Sequence, residues 1–538
     1  MKKEEFRQIF DDTMNDLPED LLLENIMKTA AETAVETAIE TAAETAIETA
    51  AETAIETAAE TAAKKDTKRH FGILIAAGLA ALLLLGAGIL LYLKVIQKNN
   101  AAHPTEIIYS SEMTEGTQNH AQPVYAEPAA LVTPVYPERA QKDTADPKYW
   151  DALRAERQIQ REAWDVYRGK LTDYYKKSLQ VMIAENPNEN ALCSPANVYL
   201  ALATLAECAD GDTRQEILDT LGVADIEEMR QISYAFFTAN YQDDGNLMQR
   251  FANSVWLNAG SDFSEAVLET LRDQYFASAF QGTMGDPAYD RALQDWLNEQ
   301  TGGILREITS DVKLPAPEDG LGVMSLVSTI YFRASWSDEF DESLNTEDLF
   351  HGSVSNETLT YMHSDKDMDY YEGEHFGAVF LNLGDSAAMW LILPNEGTEV
   401  RALASDEAVL KLIAKDHPGG QKRFTMVHLA LPKFDVSTDR DLKDDLREMG
   451  IEEAFSAQNA DFSALISSGD SVCINKVQNG LRVAVDEEGV TAASFVQITM
   501  DRGDGPDGEV DFTLNRPFLY ATTSNTGALL FAGIVEQF

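Results

Sequence analysis

Asn190-Ala191-Leu192-Cys193-Ser194-Pro195-Ala196-Asn197-Val198-Tyr199-Leu200-Ala201-Leu202-Ala203, with Gly211-Asp212-Thr213-Arg214-Gln215-Glu216-Ile217 close behind, is the stretch from which the fold of this chain can be read. It opens an ordered series of short blocks that continues to the C-terminus. Helical patterning over residues 171–184 precedes this unit, and a globular composition begins near Tyr149 and continues to Phe538.

Toward the C-terminus, further short blocks occur in a fixed order. They are Ala252-Asn-Ser-Val-Trp256; Trp296-Leu-Asn298 with Thr301-Gly302-Gly303-Ile304; and Leu326-Val-Ser328-Thr-Ile-Tyr331-Phe332-Arg-Ala-Ser-Trp336 ending at Phe340. Leu393-Pro394, Leu431-Pro432-Lys433-Phe434, Ala460-Asp461-Phe462-Ser463, Asp486-Glu487-Glu488-Gly489, Arg516-Pro517-Phe518 and Leu530-Phe531-Ala-Gly533 complete the series. Each block is weak alone, and their joint order is specific. On these blocks, the first of them looking like the family's early signature of a strand that ends in Ser194-Pro195 at the start of a buried helix, the chain resembles the serpin family of serine protease inhibitors.

The resemblance implies an α+β domain with three β-sheets, about eight or nine helices and an exposed reactive-centre loop near the C-terminus. It also implies a trap. A target serine or cysteine protease attacks a bait bond in the loop and becomes acylated, and the cut loop then enters the central sheet as a new strand. The native state must therefore persist kinetically. Asn197, Ser328 and Asn479 match the family's buried shutter network beneath that sheet, with Ser and Asn exchanged and Asn in place of His; Trp336, Lys433 and Glu487 match the breach at its top, where Lys433 and Glu487 match a salt bridge.

The residues themselves meet the demand that insertion makes. A strand entering a sheet needs a period of two with small or apolar residues facing the core. After Glu487, Glu488 and Gly489, the inward set is Val490, Ala492, Ser494, Val496, Ile498 and Met500, all small or apolar. Thr491, Ala493, Phe495, Gln497 and Thr499 form the other face, and no proline interrupts the run. The hinge composition favours an inhibitor, because noninhibitory relatives tend to carry bulky, charged or proline residues there.

The polar stretch Asp501-Arg502-Gly503-Asp504-Gly505-Pro506-Asp507-Gly508 then forms the bait tip. Family spacing, sixteen residues after Glu487, lands on Gly503 and the bond Gly503-Asp504. Arg502 offers instead a cation that the acidic pocket of a trypsin-like protease can pair, so cleavage after Arg502 is favoured; an elastase-like enzyme acting through Gly503 or Met500 is the alternative. The same tip contains Arg502-Gly503-Asp504, the tripeptide that integrins recognise, so a noninhibitory adhesion module is the competing function. Gly503-x-Gly505-x-x-Gly508 fits a dinucleotide fingerprint formally, but Pro506 interrupts it and a strand-like run follows where a helix should begin. No GxSxG elbow or HExxH pair occurs, and His351, His363, His375 and His428 are read as surface or structural. No enzyme activity, catalytic residue, metal or cofactor is expected.

The N-terminal part is read as a membrane tether. Residues 71–93 carry no charge and are long enough to span a hydrocarbon core of roughly 30 Å. Lys64, Lys65, Lys68 and Arg69 precede them, against Lys94 and Lys98 after, so the N-terminus is placed in the cytoplasm and everything beyond the span outside the cell. Residues 1–70 are a low-complexity tether whose Glu-Thr-Ala repeat has a period of four; each class of residue drifts around the helix axis, and no fixed apolar seam forms. Residues 94–148 are a proline-rich stalk, and residues 149–538 the serpin-like domain. A net charge of -48, with 42 basic against 90 acidic residues, argues against nucleic acid as a partner. The three cysteines, Cys193, Cys208 and Cys473, read as buried small hydrophobes rather than a disulfide framework.

Overall fold

The computed structural model describes residues 128–140, 147–183, 188–243, 247–303, 306, 312–315, 324–384, 387–413, 421–467, 472–474, 477–490 and 508–538. Nine α-helices lie among them: α1 (Pro147–Tyr167), α2 (Thr172–Met182), α3 (Pro195–Cys208), α4 (Gly211–Leu221), α5 (Ile226–Asn240), α6 (Glu265–Tyr275), α7 (Pro287–Gln300), α8 (Glu407–Ile413) and α9 (Lys443–Glu448). The strands in chain order are β1 (Ala129–Val132), β2 (Ala191–Cys193), β3 (Gln242–Asp243), β4 (Leu247–Asn258), β5 (Ala277–Gly282), β6 (Met324–Ser335), β7 (Thr346–His351), β8 (Asn356–Glu372) and β9 (Phe376–Leu383). They continue with β10 (Ala387–Pro394), β11 (Gln421–Pro432), β12 (Phe434–Asp441), β13 (Gln478–Val485), β14 (Gly489–Val490), β15 (Glu509–Thr513), β16 (Phe518–Ser524) and β17 (Leu529–Val535).

The reading of Ser194-Pro195 holds at the atomic level. Ser194 Oγ accepts the Asn197 N–H at 3.4 Å and donates to the Leu530 carbonyl at 2.6 Å, so the residue that starts α3 also ties it to β17. The helix is buried on nearly every face. Asp225, Ser264 and Asp286 begin α5, α6 and α7 in the same manner.

The described strands form two sheets where three were expected. The first runs β1-β5-β4-β6-β14-β13-β12, with β3 on β4, and the second runs β15-β11-β8-β9-β10-β16-β17-β2, with β7 on β8. The cause is β8, which at 17 residues pairs with β7 near its start, with β11 from Tyr361 onward, and with β9 through Tyr371 and Glu372. One unbroken strand therefore joins two ladders. Gly373 permits the tight turn into β9, since a Cβ there would lie 2.4 Å from the Phe376 ring.

The first sheet is covered on both sides. On one face Ile330, Phe332 and Ala334 of β6 are buried in the main core with α3, and on the other Trp256, Tyr289, Trp296 and Leu297 form a second core beneath α7. Cys193 and Cys208 are free and buried, Cys473 is free and partly buried, and burial pushes the Cys193 thiol up to about 12.

Two N-terminal expectations meet the structure differently. The span at residues 71–93 and the repeat before it lie outside the described residues; among the described ones no helix is long and apolar enough to cross a membrane. The segment read as a stalk, residues 94–148, is described only in part, and that part is not free coil. Ala129–Val132 is a strand laddered to β5, and α1 begins at Pro147. A four-residue strand among prolines is too short to show a period of two, so only its partner reveals it.

Candidate functional site

The site is the place where the chain leaves β13, turns, and starts back into the first sheet. Val490 pairs with Val485 on one side and with Ala334 on the other, and Gly489 pairs with Ser335. Because β14 is antiparallel to both β6 and β13, those two strands run parallel to one another. Among the described residues β14 alone lies between them.

Side chains and backbone fix the turn. Asp486 Oδ1 accepts the N–H groups of Glu488 and Gly489 at 3.0 and 3.1 Å, while its own N–H donates to the Gly489 carbonyl at 3.1 Å. The Trp336 indole N–H donates to the Asp486 carbonyl at 2.8 Å, and the Trp336 and Phe340 backbone N–H groups donate to the Glu488 and Glu487 carbonyls. Position 489 must be glycine, since its φ is +154° and a Cβ would sit 2.3 Å from the Ala334 carbonyl oxygen.

Above the turn, Lys433 Nζ lies 2.8 Å from Glu487 Oε2, and Asn345 Nδ2 donates to Glu487 Oε1 at 2.5 Å. Burial alone would raise the Glu487 pKa, but the Lys433 and Asn345 contacts outweigh it and hold the carboxyl below its ordinary range. The hydrogen bond to Glu487 in turn raises the Lys433 ammonium. Trp336, Lys433 and Glu487, grouped from the sequence, thus meet at one point. Asn345 and Asp486 complete it. Neither was singled out: Asn345 follows a 3-10 turn with no periodic signal, and the carboxylate of Asp486 acts only on the two residues after it.

Beneath the sheet the structure brings together two of the three shutter residues. Ser328 Oγ is 2.8 Å from Asn197 Oδ1 and 2.6 Å from Asn253 Oδ1. One hydroxyl proton can serve only one of these oxygens. Turning over the Asn253 amide, whose Nδ2 is otherwise buried without a partner, lets that nitrogen donate to Ser328. Asn479 is buried on β13 opposite Arg440, and among the described residues it forms no hydrogen bond with Asn197 or Ser328. Asn253 takes part in its place; it stands in the block ending at Trp256, which reads as strand and hides a polar side chain aimed inward.

Thr491, Ala492, Ala493 and Ser494 of the hinge, and Arg502, Gly503 and Asp504 of the bait tip, lie outside the described residues. Among the described residues the histidines do not converge on a site. His363 Nε2 pairs with Thr346 and His428 Nδ1 with Asp365, both on the exposed side of the second sheet.

Two outcomes follow for the hinge, both read by hydrogen exchange of a peptide carrying residues 486–490. Gly489→Ala should unseat β14 and speed exchange to that of an unpaired segment, and unchanged protection would contradict the close approach to Ala334. The second outcome concerns pH. A carboxyl lowered in the folded state stabilises above its unfolded value of about 4.3 and is lost as pH falls through the lower folded value; a raised lysine stabilises below about 10.4 and is lost as pH rises past it. Exchange corrected for its intrinsic pH dependence should therefore stay slow from about pH 5 to 10 and quicken below about 4. In Glu487→Gln the acid limb should vanish, and its persistence would assign it to another group.

Comparison with known proteins agrees with this geometry. Residues 171–537 match the family model described as Serpin (serine protease inhibitor). Serpin A3-1 of Bos taurus is 30% identical over 382 residues, covering 68% of this chain and 88% of that protein. An uncharacterized serpin-like protein of Thermococcus kodakarensis is 27% identical over 362 residues, covering 64% and 80%. The native-state crystal structure of the thermophilic serpin tengpin superposes with a TM-score of 0.62 at 24% identity, covering 77% of this chain and all of that one, a likeness of fold. A strand turned back between two parallel strands of the central sheet, within a chain whose family match begins at residue 171, identifies the protein: it belongs to the serpin family of protease inhibitors.

Proposed function

We propose that the chain inhibits an extracellular serine protease by inserting its own cleaved loop into the first sheet. The observation that carries this reading is β14, already seated between β6 and β13 with Val490 on the buried face opposite Ala334. Continuing that register residue by residue sets Ala492 opposite Phe332, Ser494 opposite Ile330, Val496 opposite Ser328 and Met500 opposite Met324, the first residue of β6. The inward positions of the loop thus coincide with the inward positions of β6. A strand entering here is antiparallel to both neighbours and extends the two antiparallel ladders that Val490 begins.

The chemistry begins when the protease serine attacks the carbonyl carbon of Arg502. The Arg502-Gly503 peptide bond breaks, the new amine of Gly503 leaves with the C-terminal part, and the protease stays joined to Arg502 as an ester. Water would ordinarily free it. Arg502 lies two residues beyond Met500, which reaches the start of β6, so insertion sets the ester roughly 40 Å along the sheet from Val490, at about 3.3 Å per residue. Arg502 presents its guanidinium to the acidic pocket of a trypsin-like enzyme, with Gly503 as the elastase-like alternative. We place the domain outside the cell, held by the single span at residues 71–93 with the N-terminus in the cytoplasm.

Incubation with a trypsin-like protease should give a complex that survives SDS and boiling, together with a released C-terminal peptide beginning at Gly503. Arg502→Ala should slow formation of that complex at least about a hundredfold. A peptide beginning at Asp504, with Arg502→Ala still inhibitory, would move the bait bond. Only free or cut chains across a panel of serine proteases would leave a module that merely presents Arg502-Gly503-Asp504, and would contradict the trap.

A further inference from the structure

β15 is the edge strand of the second sheet and follows the bait tip directly. One parallel ladder, Glu509 to Thr513 against Met426 to Ala430 of β11, holds it there. At its head the Gly508 carbonyl accepts the Met426 N–H at 3.1 Å and the Thr425 hydroxyl at 2.8 Å. On the exposed face His428 of β11 reaches both neighbouring strands. Its Nδ1 lies 2.8 Å from Asp365 Oδ1 of β8, and its Nε2 lies 3.8 Å from Glu509 Oε2 of β15. Asp511, opposite His428 in the ladder, adds a third carboxylate. Along the same strands Asp367 stands opposite Met426, Lys422 pairs with Asp369, and His363 pairs with Thr346 of β7.

The two ring nitrogens play different parts. When the imidazole is neutral and gives its Nδ1–H to Asp365, Nε2 is a bare acceptor turned toward the Glu509 carboxylate. Protonation puts an N–H there and sets a cation among three carboxylates that otherwise repel one another. The Asp365 hydrogen bond, with the charges of Asp365, Asp511 and Glu509 behind it, raises the His428 pKa above its ordinary value.

We propose that His428 is a pH-dependent clasp on β15: charged, it ties this strand into the second sheet, and neutral, it lets the strand lift, which the uncut loop needs in order to insert. The consequence for the loop rests on the insertion reading above. Insertion to Met500 sets that residue about 33 Å down the first sheet from Val490. Gly508 sits at Met426, seven residues and about 24 Å along β11 from Lys433 at the hinge. Only Lys433 separates β11 from β12, too little chain for a reversal, so Gly508 lies beyond the hinge while β12 runs down the first sheet. Even with the two strands at right angles the ends stand about 40 Å apart, and the eight residues from Met500 to Gly508 span at most about 29 Å. An uncut loop therefore inserts fully only if β15 leaves β11.

A histidine raised in the folded state stabilises below its unfolded value of about 6.5, and the contribution is lost as pH rises through the higher folded value. The test uses the full chain, uncut, and reads hydrogen exchange of a peptide covering residues 509–513, corrected for its intrinsic pH dependence. Exchange should quicken about two- to fivefold from pH 5.5 to pH 9, the range of a solvent-screened pair. The half-life of the form whose loop can still be cut should shorten by a like factor. In His428→Gln both should be flat, and Glu509→Gln, at an exposed position, should shrink both steps and decides alone if the first variant does not fold. A wild-type peptide without the step, or a step that survives the substitutions undiminished, would overturn the clasp. A step in exchange with none in the half-life would overturn its hold on the loop. A chain that gains no heat resistance once its loop is cut would overturn the insertion reading, while the exchange step would still stand.

Discussion

Two strands of the first sheet, β6 and β13, run in the same direction, and among the described residues only Gly489 and Val490 stand between them. The rest of the molecule is arranged around this separation. Gly489 allows the backbone to lie against Ala334 where any side chain would clash, Asp486 closes the turn that points the chain downward, and Glu487 is gripped by Lys433 and Asn345. Below, Ser328 bridges Asn197 and Asn253, linking β6 to α3 and β4 at the level that Val496 would reach.

Polar contacts fix the hinge at the top, where Lys433 and Asn345 grip Glu487, and fasten β6 to α3 and β4 below. Each contact is individually modest. Lys433 is more than a third exposed, so its ion pair with Glu487 is screened by solvent, and its value lies in direction: it fixes where the hinge enters.

The reading of residues 490–500 as an insertable strand rests on a period of two, which is local and needs no partner; of these residues Val490 alone lies among the described ones, and it is paired on both sides. Trp336, Lys433 and Glu487 were legible through the family blocks that contain them, and the structure brings them to one place. The roles of Asn345 and Asn253 were not, the one lying in a segment without pattern and the other inside a family block that reads only as strand, because each depends on a partner far along the chain: Glu487 for one, Ser328 for the other. Asn479 shows the opposite error. It occupies the shutter position by alignment but forms no bond to Asn197 or Ser328 among the described residues. The sheet count failed for a geometric reason, since nothing in residues 356–372 announces that one strand serves two ladders. β1 was hidden by its four-residue length.

The crystal structure of the loop-cleaved protein tests the central claim most directly. The account predicts that residues 490–500 form a strand antiparallel to both β6 and β13, with Ala492 opposite Phe332 and Val496 opposite Ser328. A cleaved chain in which β14 still ends at Val490, with β6 and β13 unchanged, would contradict it.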